Sequence, residues 1–432
     1  MSRQLMVSGV SIVVCLLLLE VITAALLWKQ TGTFPYARPV LKAYKQELRE
    51  LARPGEQKTY RHPALALHPY LGYISNFDLS QTHKGQRNNR SGFFSEVEAV
   101  YQPADTNEYV VAVLGGSVAA QLCILGGEHL KAGLEALPQI AGRKVVIVPL
   151  CQGGYKQPQQ LIAFAYHDAL GLRPDLVINI DGVNEMLFFQ NNALNNHIEP
   201  SYPWNWLSIS PMPDQDPEVM RAKLAIVDLR EARANRAAAL MKNRLYKSAL
   251  GRLIIERLDD RAEFLEAEAA VQLEARMAEL SEGHLTYPQT GPLHWTTDSF
   301  EAAMAESAAV WRRAGITLNG MIRARGIPYL HGLQPNQYFP GTRTLTDWEK
   351  DNAYTDDPDS EFYRPLSEGY AYFTNEIPAL REAGVPIVNL TDYLGDPPIT
   401  IYSDNFSHFN HDGNRLLAEA VVRAVAEAAN LK

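Results

Sequence analysis

A chain of 432 residues with 46% hydrophobic content is long enough for one large domain with insertions or for two ordinary ones, and apolar enough to bury a substantial core. The formal charge of −9, with no clustered basic run, argues against a nucleic-acid partner, because phosphate binding needs a basic face. Cys15, Cys123 and Cys151 are too few for a disulfide framework, and Cys15 lies in an apolar run, so only Cys123 with Cys151 offers a pair in an oxidising compartment.

The first element is that apolar run. Leu5 to Trp28 reaches, at about 1.5 Å per residue, across the roughly 30 Å hydrocarbon layer and reads as a transmembrane helix. A cleaved signal peptide has an apolar region of only about 7–15 residues, so residues 1–30 are expected to be an uncleaved signal anchor, with Thr23-Ala24-Ala25 leaving cleavage open. Arg3 flanks one side and Lys29, Arg38, Lys42 and Lys45 the other, so the positive-inside rule alone opposes export. A tail of about four residues gives little to translocate, however, and the bulk is expected outside. Glu20 interrupts the span at a cost of a few kcal/mol unless neutral, paired or near the interface. One reading is contact with a membrane-protein partner. The other is a tolerated carboxylate near the outer end.

Residues 31–108 mix Pro, Arg and aromatics and read as a tether and approach segment, with a short helix near Val40–Leu51. From residue 109 strands and helices alternate, the signature of a parallel sheet covered on both faces. The expected strands are Tyr109–Leu114, Lys144–Pro149, Leu176–Asp181, Pro328–Leu333 and Pro386–Leu390. They predict an α/β fold with a doubly wound, flavodoxin-like, five-stranded parallel sheet over 109–432, with ligands at the carboxyl ends of the strands. A helical insertion interrupts it at about 186–295. Within it Met186–Ser210 reads as a surface loop. Glu218–Tyr287, free of proline, reads as long helices in which Leu250, Leu253, Ile254 and Leu258 form one apolar stripe.

A serine becomes a nucleophile when a base takes its proton and preformed donors meet the oxyanion. Ser117 sits on a strand-Gly115-Gly116-Ser117-helix turn, where its own N–H is free to stabilise negative charge. Asn184 follows the third strand in Asp181-Gly182-Val183-Asn184-Glu185, bringing a side-chain amide to the same edge. Gly153-Gly154 after the second strand offers a further backbone N–H. His408, four residues after Asp404 and just before the last helix, completes the parts of a nucleophile, base and acid. Each of these residues has a plainer reading as a turn, cap or loop residue, and their joint occurrence at strand ends is what favours chemistry.

These blocks resemble the SGNH (GDSL-type) hydrolase family. Ser117 in VLGGS matches its first block, with Gly116 where Asp is frequent. Asn184 in IDGVNE matches the third, with Glu185 where Asp is common, and His408 in HFNHDGNRLLAEA the last. His68–Tyr73, Asn88–Phe93 and His331–Tyr338 also look like exported members. Two departures stand out. Aligning the second block puts Cys151 at the usual glycine, leaving either Cys151 or Gly153 as the source of its N–H. Asn405 holds the place of the usual acid, with Asp404 one residue further from the histidine.

The resemblance implies acyl transfer through an acyl-Ser117 intermediate. His408 would be the base and Asp404 its orienting acid, with Ser117 N–H, Gly153 N–H and Asn184 as the oxyanion hole. It implies no cofactor and no metal. The expected partners are an acylated carbohydrate or other small ester and the membrane through the N-terminal helix. Envelope-bound members place the chain in the inner membrane as a single-pass protein with a periplasmic domain. Tyr202, Trp204 and Trp206 would suit stacking on sugar rings. Two rivals are a non-catalytic accessory subunit with an SGNH-like scaffold and a glycan-binding module.

Overall fold

A computed structural model describes residues 3–52, 64–76, 82–83, 86–196, 198–209, 217–281, 297–341, 343–429 and 431. The chain folds into two compact units, Tyr60–Ser210 with Thr290–Lys432, and Met1–Thr59 with Pro211–Gln289.

The first unit is built on β1 (Glu108–Gly115), β2 (Lys144–Cys151), β3 (Leu176–Asp181), β4 (Tyr329–Leu333) and β5 (Ile387–Asn389). All five are parallel, in the order β2-β1-β3-β4-β5, which is the expected doubly wound sheet. Every residue of β1, EYVVAVLG, is buried, as a strand covered on both faces requires. Alternate side chains part to opposite faces. Val110, Ala112 and Leu114 join Phe164, Met186, Trp311 and Phe373, while Val111 and Val113 join Val118, Leu130, Leu417 and Val421. Helices Ser117–Leu125, Gly127–Glu135 and His411–Ala428 therefore cover one face, and Gln159–Ala169, Val183–Leu194, Phe300–Ala324 and Gly369–Glu382 the other. Burial of one such Val or Leu contributes roughly 1.5–3 kcal/mol, so a carboxylate at Val113 would unseat the sheet.

Two expected boundaries shift. The segment taken as a tether over 31–108 is divided. Leu71, Tyr73 and Phe93 bury in the sheet's core, where Leu65–His68 and Gly72–Ser75 form an antiparallel hairpin. Helix Arg38–Leu51 instead belongs to the second unit, where its Leu48 packs with Ala237, Leu240 and Tyr246. Residues 53–63, 77–81 and 84–85 of that segment lie outside the described residues. Met186–Ser210 is not a surface loop throughout. Met186–Leu194 continues the helix begun at Val183, because Met186, Leu187 and Phe189 are buried at helical spacing.

The second unit is helical: Arg3–Thr31, Arg38–Leu51, Pro217–Lys242 and Ala249–Ser281, with a tight turn at Leu245–Lys247 joining the last two into a hairpin. Arg230 reaches Glu266 at 2.6 Å and Arg236 reaches Asp259 at 3.1 Å between the hairpin's arms. The expected helical stretch is present, and residues 282–287 of it lie outside the described residues. Its apolar stripe is not packed away, since Ile254 and Leu258 remain exposed. Among the described residues one helix, Val10–Thr31, is long and apolar enough to cross a membrane.

Candidate active site

The carboxyl ends of β1, β2 and β3 converge on one point. β1 ends at Gly115, whose φ of +142° and surroundings admit no side chain: a Cβ there would strike the Ile180 carbonyl and Ala119. The chain turns at Gly116 and enters its helix at Ser117, a first helical position whose N–H has no intrahelical partner. Ser117 Oγ lies 2.7 Å from Nε2 of His408. Nδ1 of the same imidazole lies 2.7 Å from Oδ2 of Asp404.

Asp404 and His408 share one closed loop. Tyr402 and Phe409 form an antiparallel bridge, and Ser403 N–H donates to the His408 carbonyl at 2.9 Å. Between them Asp404 Oδ1 accepts from Phe406 N–H at 2.9 Å and Ser407 takes a left-handed φ of 61°. That turn brings Asp404, rather than the adjacent Asn405, to the imidazole. Asn405 Oδ1 instead has no hydrogen-bond partner. Burial alone would raise the Asp404 carboxyl, but the hydrogen bond and charge of His408, with the N–H groups of Phe406 and His408, hold it below the usual range.

The second and third turns supply donors. A Cβ on Gly153 would stand 3.9 Å from that of Ser117, which puts this turn beside the serine side chain. Cys151 pairs in register with Gly115 inside the sheet, and its buried thiol, raised by burial and by its contact with Cys123, points to packing. All three cysteines are free. Asn184 Nδ2 donates to the Tyr155 carbonyl at 2.7 Å. That bond fixes the orientation of the amide and uses one of its two hydrogens.

Blocks that the sequence marks without a role supply supports. Tyr73 Oη donates to the Gly153 carbonyl at 2.8 Å, Tyr155 Oη to the Tyr73 carbonyl at 2.7 Å, and Ser75 Oγ to Gln152 at 3.0 Å. The approach segment thus props the second turn. After β4, Gln337 Nε2 donates to the Asp404 carbonyl at 2.9 Å and Tyr338 Oη to that of Asn405 at 3.2 Å, steadying the loop that holds Asp404 and His408. Phe406 stacks beside His408 with centroids 5.9 Å apart.

Beneath Asn184 lies a buried polar cluster. Asp181 accepts from Trp311 Nε1 at 2.6 Å and Asn179 at 2.7 Å and meets His331 Nε2 at 2.8 Å. Glu185 accepts from the N–H of Gly182 at 2.8 Å and of Gln157 at 2.7 Å, tying the third turn to the second. Burial, then the charge of Asp181, pushes Glu185 up to about 8 despite those donors. Burial pulls Lys156 down to about 7 against the charges of Glu185 and Glu199. Trp204 is stacked on Phe188 at 4.4 Å and borders Gly154, whereas Tyr202 and Trp206 meet edge to face at 6.0 Å. Among the described residues no cluster of His, Cys, Asp or Glu is arranged to hold a metal ion.

No protein-family model matches the chain, and no curated protein matches it. Among solved structures, a proposed acylhydrolase from Bacteroides fragilis aligns with 76% of this chain and 90% of its own, at 10% identity and a TM-score of 0.33. At that score the likeness carries no weight for fold or activity.

Proposed function

We propose that the sheet unit is a serine ester hydrolase or O-acyltransferase of the SGNH type, acting on acyl esters of envelope glycans. The observation that carries this reading is the continuous line from Asp404 through His408 to Ser117, with both hydrogen-bond distances 2.7 Å. Ser117 Oγ attacks the ester carbonyl while His408 Nε2 takes its proton. Asp404 stabilises the imidazolium, and the N–H groups of Ser117 and Gly153 with the second Asn184 hydrogen hold the oxyanion. Collapse breaks the bond to the leaving alcohol, which receives the proton from His408. Water or a sugar hydroxyl then takes the acyl group from Ser117 by the reverse course. Trp204 beside Gly154 supports a carbohydrate acceptor, and the Val10–Thr31 helix supports a single-pass membrane anchor; the reading places that anchor in the inner membrane with the sheet unit exported.

The test is labelling by a fluorophosphonate, which requires an activated serine. Labelling at Ser117, abolished in Ser117→Ala and His408→Ala, is expected. Folded protein that stays unlabelled would favour the accessory-subunit reading instead.

A further inference from the structure

A surface helix ordinarily buries an apolar stripe. Helix Asp347–Asn352 does the reverse: Asp347, Trp348, Lys350, Asp351 and Asn352 are exposed, and Glu349 alone is buried. A buried carboxylate is costly unless donors meet its oxygens. Oε2 accepts from Thr346 N–H at 2.8 Å, Thr346 Oγ1 at 3.0 Å and Arg343 Nη2 at 3.0 Å. Oε1 accepts from the N–H groups of Ile401 and Tyr402 at 2.8 and 3.0 Å. Burial raises the carboxyl, but the N–H groups of Tyr402, Ile401 and Thr346, with the charge of Arg343, hold it below the usual range.

Ile401 and Tyr402 are the base on which the loop carrying Asp404 and His408 closes. Beyond the loop, Asn410 N–H donates to the Ile401 carbonyl at 2.8 Å and Asn410 Nδ2 to that of Thr400 at 2.8 Å. Thr346 Oγ1 and Thr400 Oγ1 lie 2.9 Å apart. The far end of the helix is tied to the same loop. Ala353 is buried in one cluster with Tyr402 and Phe409, and its carbonyl accepts from Gln337 Nε2 at 2.7 Å, the group that also donates to the Asp404 carbonyl at 2.9 Å. A helix of six residues has little stability of its own, and this one is fixed at both ends to the loop.

We propose that Glu349 is a positioning residue of the ester-transfer site: by holding the N–H groups of Ile401 and Tyr402 it sets where the 403–409 loop stands, and with it the reach of His408 to Ser117. The inference rests on the reading of Ser117 as nucleophile. Glu349 touches none of the reacting groups. Arg343, whose side chain is 1% exposed, is its counter-ion and also donates to the Ile399 carbonyl at 2.7 Å.

Removing one member of a buried ion pair strands the other, whereas replacing both is tolerated, so the test compares two double variants of the full chain. Arg343→Met with Glu349→Gln keeps an oxygen for the two N–H groups, and Arg343→Met with Glu349→Met does not. Relative to the first, the second should lose about 10²-fold in kcat for a short-chain ester and in fluorophosphonate labelling of Ser117, the scale of a small misplacement of reacting groups. KM should stay unchanged, and amide hydrogen exchange should quicken over residues 400–409 but not in β1 or β3. Equal rates in the two variants overturn the proposal, as does a loss confined to KM or accompanied by faster exchange throughout the sheet. Should neither double variant fold, Glu349→Asp, which keeps the charge but is one methylene short, is compared with wild type, and the same pattern is expected. Folded wild type that stays unlabelled refutes the ester reading instead; exchange then decides alone, and equal exchange over 400–409 overturns the positioning role.

Discussion

The side-chain amide of Asn184 occupies the space into which a Cβ on Gly116 would project. A methyl group there must displace either the amide or the turn that presents Ser117. Gly116→Ala is therefore expected to lower kcat for a short-chain ester about 10²–10³-fold, the usual loss for one oxyanion donor, with KM and melting temperature nearly unchanged. Asn184→Ala should cost a similar factor, and the double variant little more than either, because both act on one donor. Additive losses in steady-state kinetics would refute the shared cause.

The two histidines of the last block separate cleanly. His408 contacts Ser117, whereas His411 is the exposed first residue of the final helix. His408→Ala should remove several orders of magnitude of turnover and His411→Ala little, measured on the same ester. A reversed ranking would move the base.

Asp404 and Asn405 invite the same comparison. Asp404→Asn keeps the size but loses the charge opposite the imidazolium, so a fall of about 10²–10⁴ in kcat is expected. Asn405→Ala, which removes a side chain that does not reach His408, should be mild. Equal rates for wild type and Asp404→Asn would reduce the site to a Ser-His pair.

Glu185 makes stability depend on pH. Its folded pKa is raised to about 8, above the 4.5 of the free group. The folded state thus holds a proton that the unfolded state has lost. This contribution is fully present below about 4.5 and is lost as pH rises toward 8, at up to about 1.4 kcal/mol per pH unit. Denaturant unfolding between pH 5 and 7 should show a slope of that sign, flattened in Glu185→Gln. The same slope in both proteins would assign it to another group.

Much of the fold was legible because parallel strands buried on both faces write themselves as unbroken apolar runs: LVINID was bounded to the residue. Ser117 and Asn184 stood out because each follows such a run, and His408 because it comes four residues after Asp404 and just before the last helix. The blocks His68–Tyr73 and His331–Tyr338 stood out too, but not what they support. Tyr73, Gln337 and Tyr338 act through contacts with residues far away in sequence, and no local pattern encodes that. Asp404 was visible only as a displaced carboxylate, since the left-handed Ser407 that corrects its reach is a conformation, unusual for serine, which composition does not announce. Glu20 was read as a misfit in an apolar helix for the same reason: its donors arrive from residues 36 and 248–250.

The closed loop from Ser403 to His408 has a consequence for how activity fails. Asp404 and His408 are four residues apart within one small ring of backbone, while the Ser117 hydroxyl that meets His408 comes from 291 residues earlier in the chain. The first alignment is set by local geometry and the second by how that loop seats on the sheet edge, through Gln337 and Tyr338 among others. Gentle warming or dilute denaturant acts on the seating first. Inactivation should then run ahead of unfolding as a reversible misregistration, with the carboxylate-imidazole pair intact and the serine out of step.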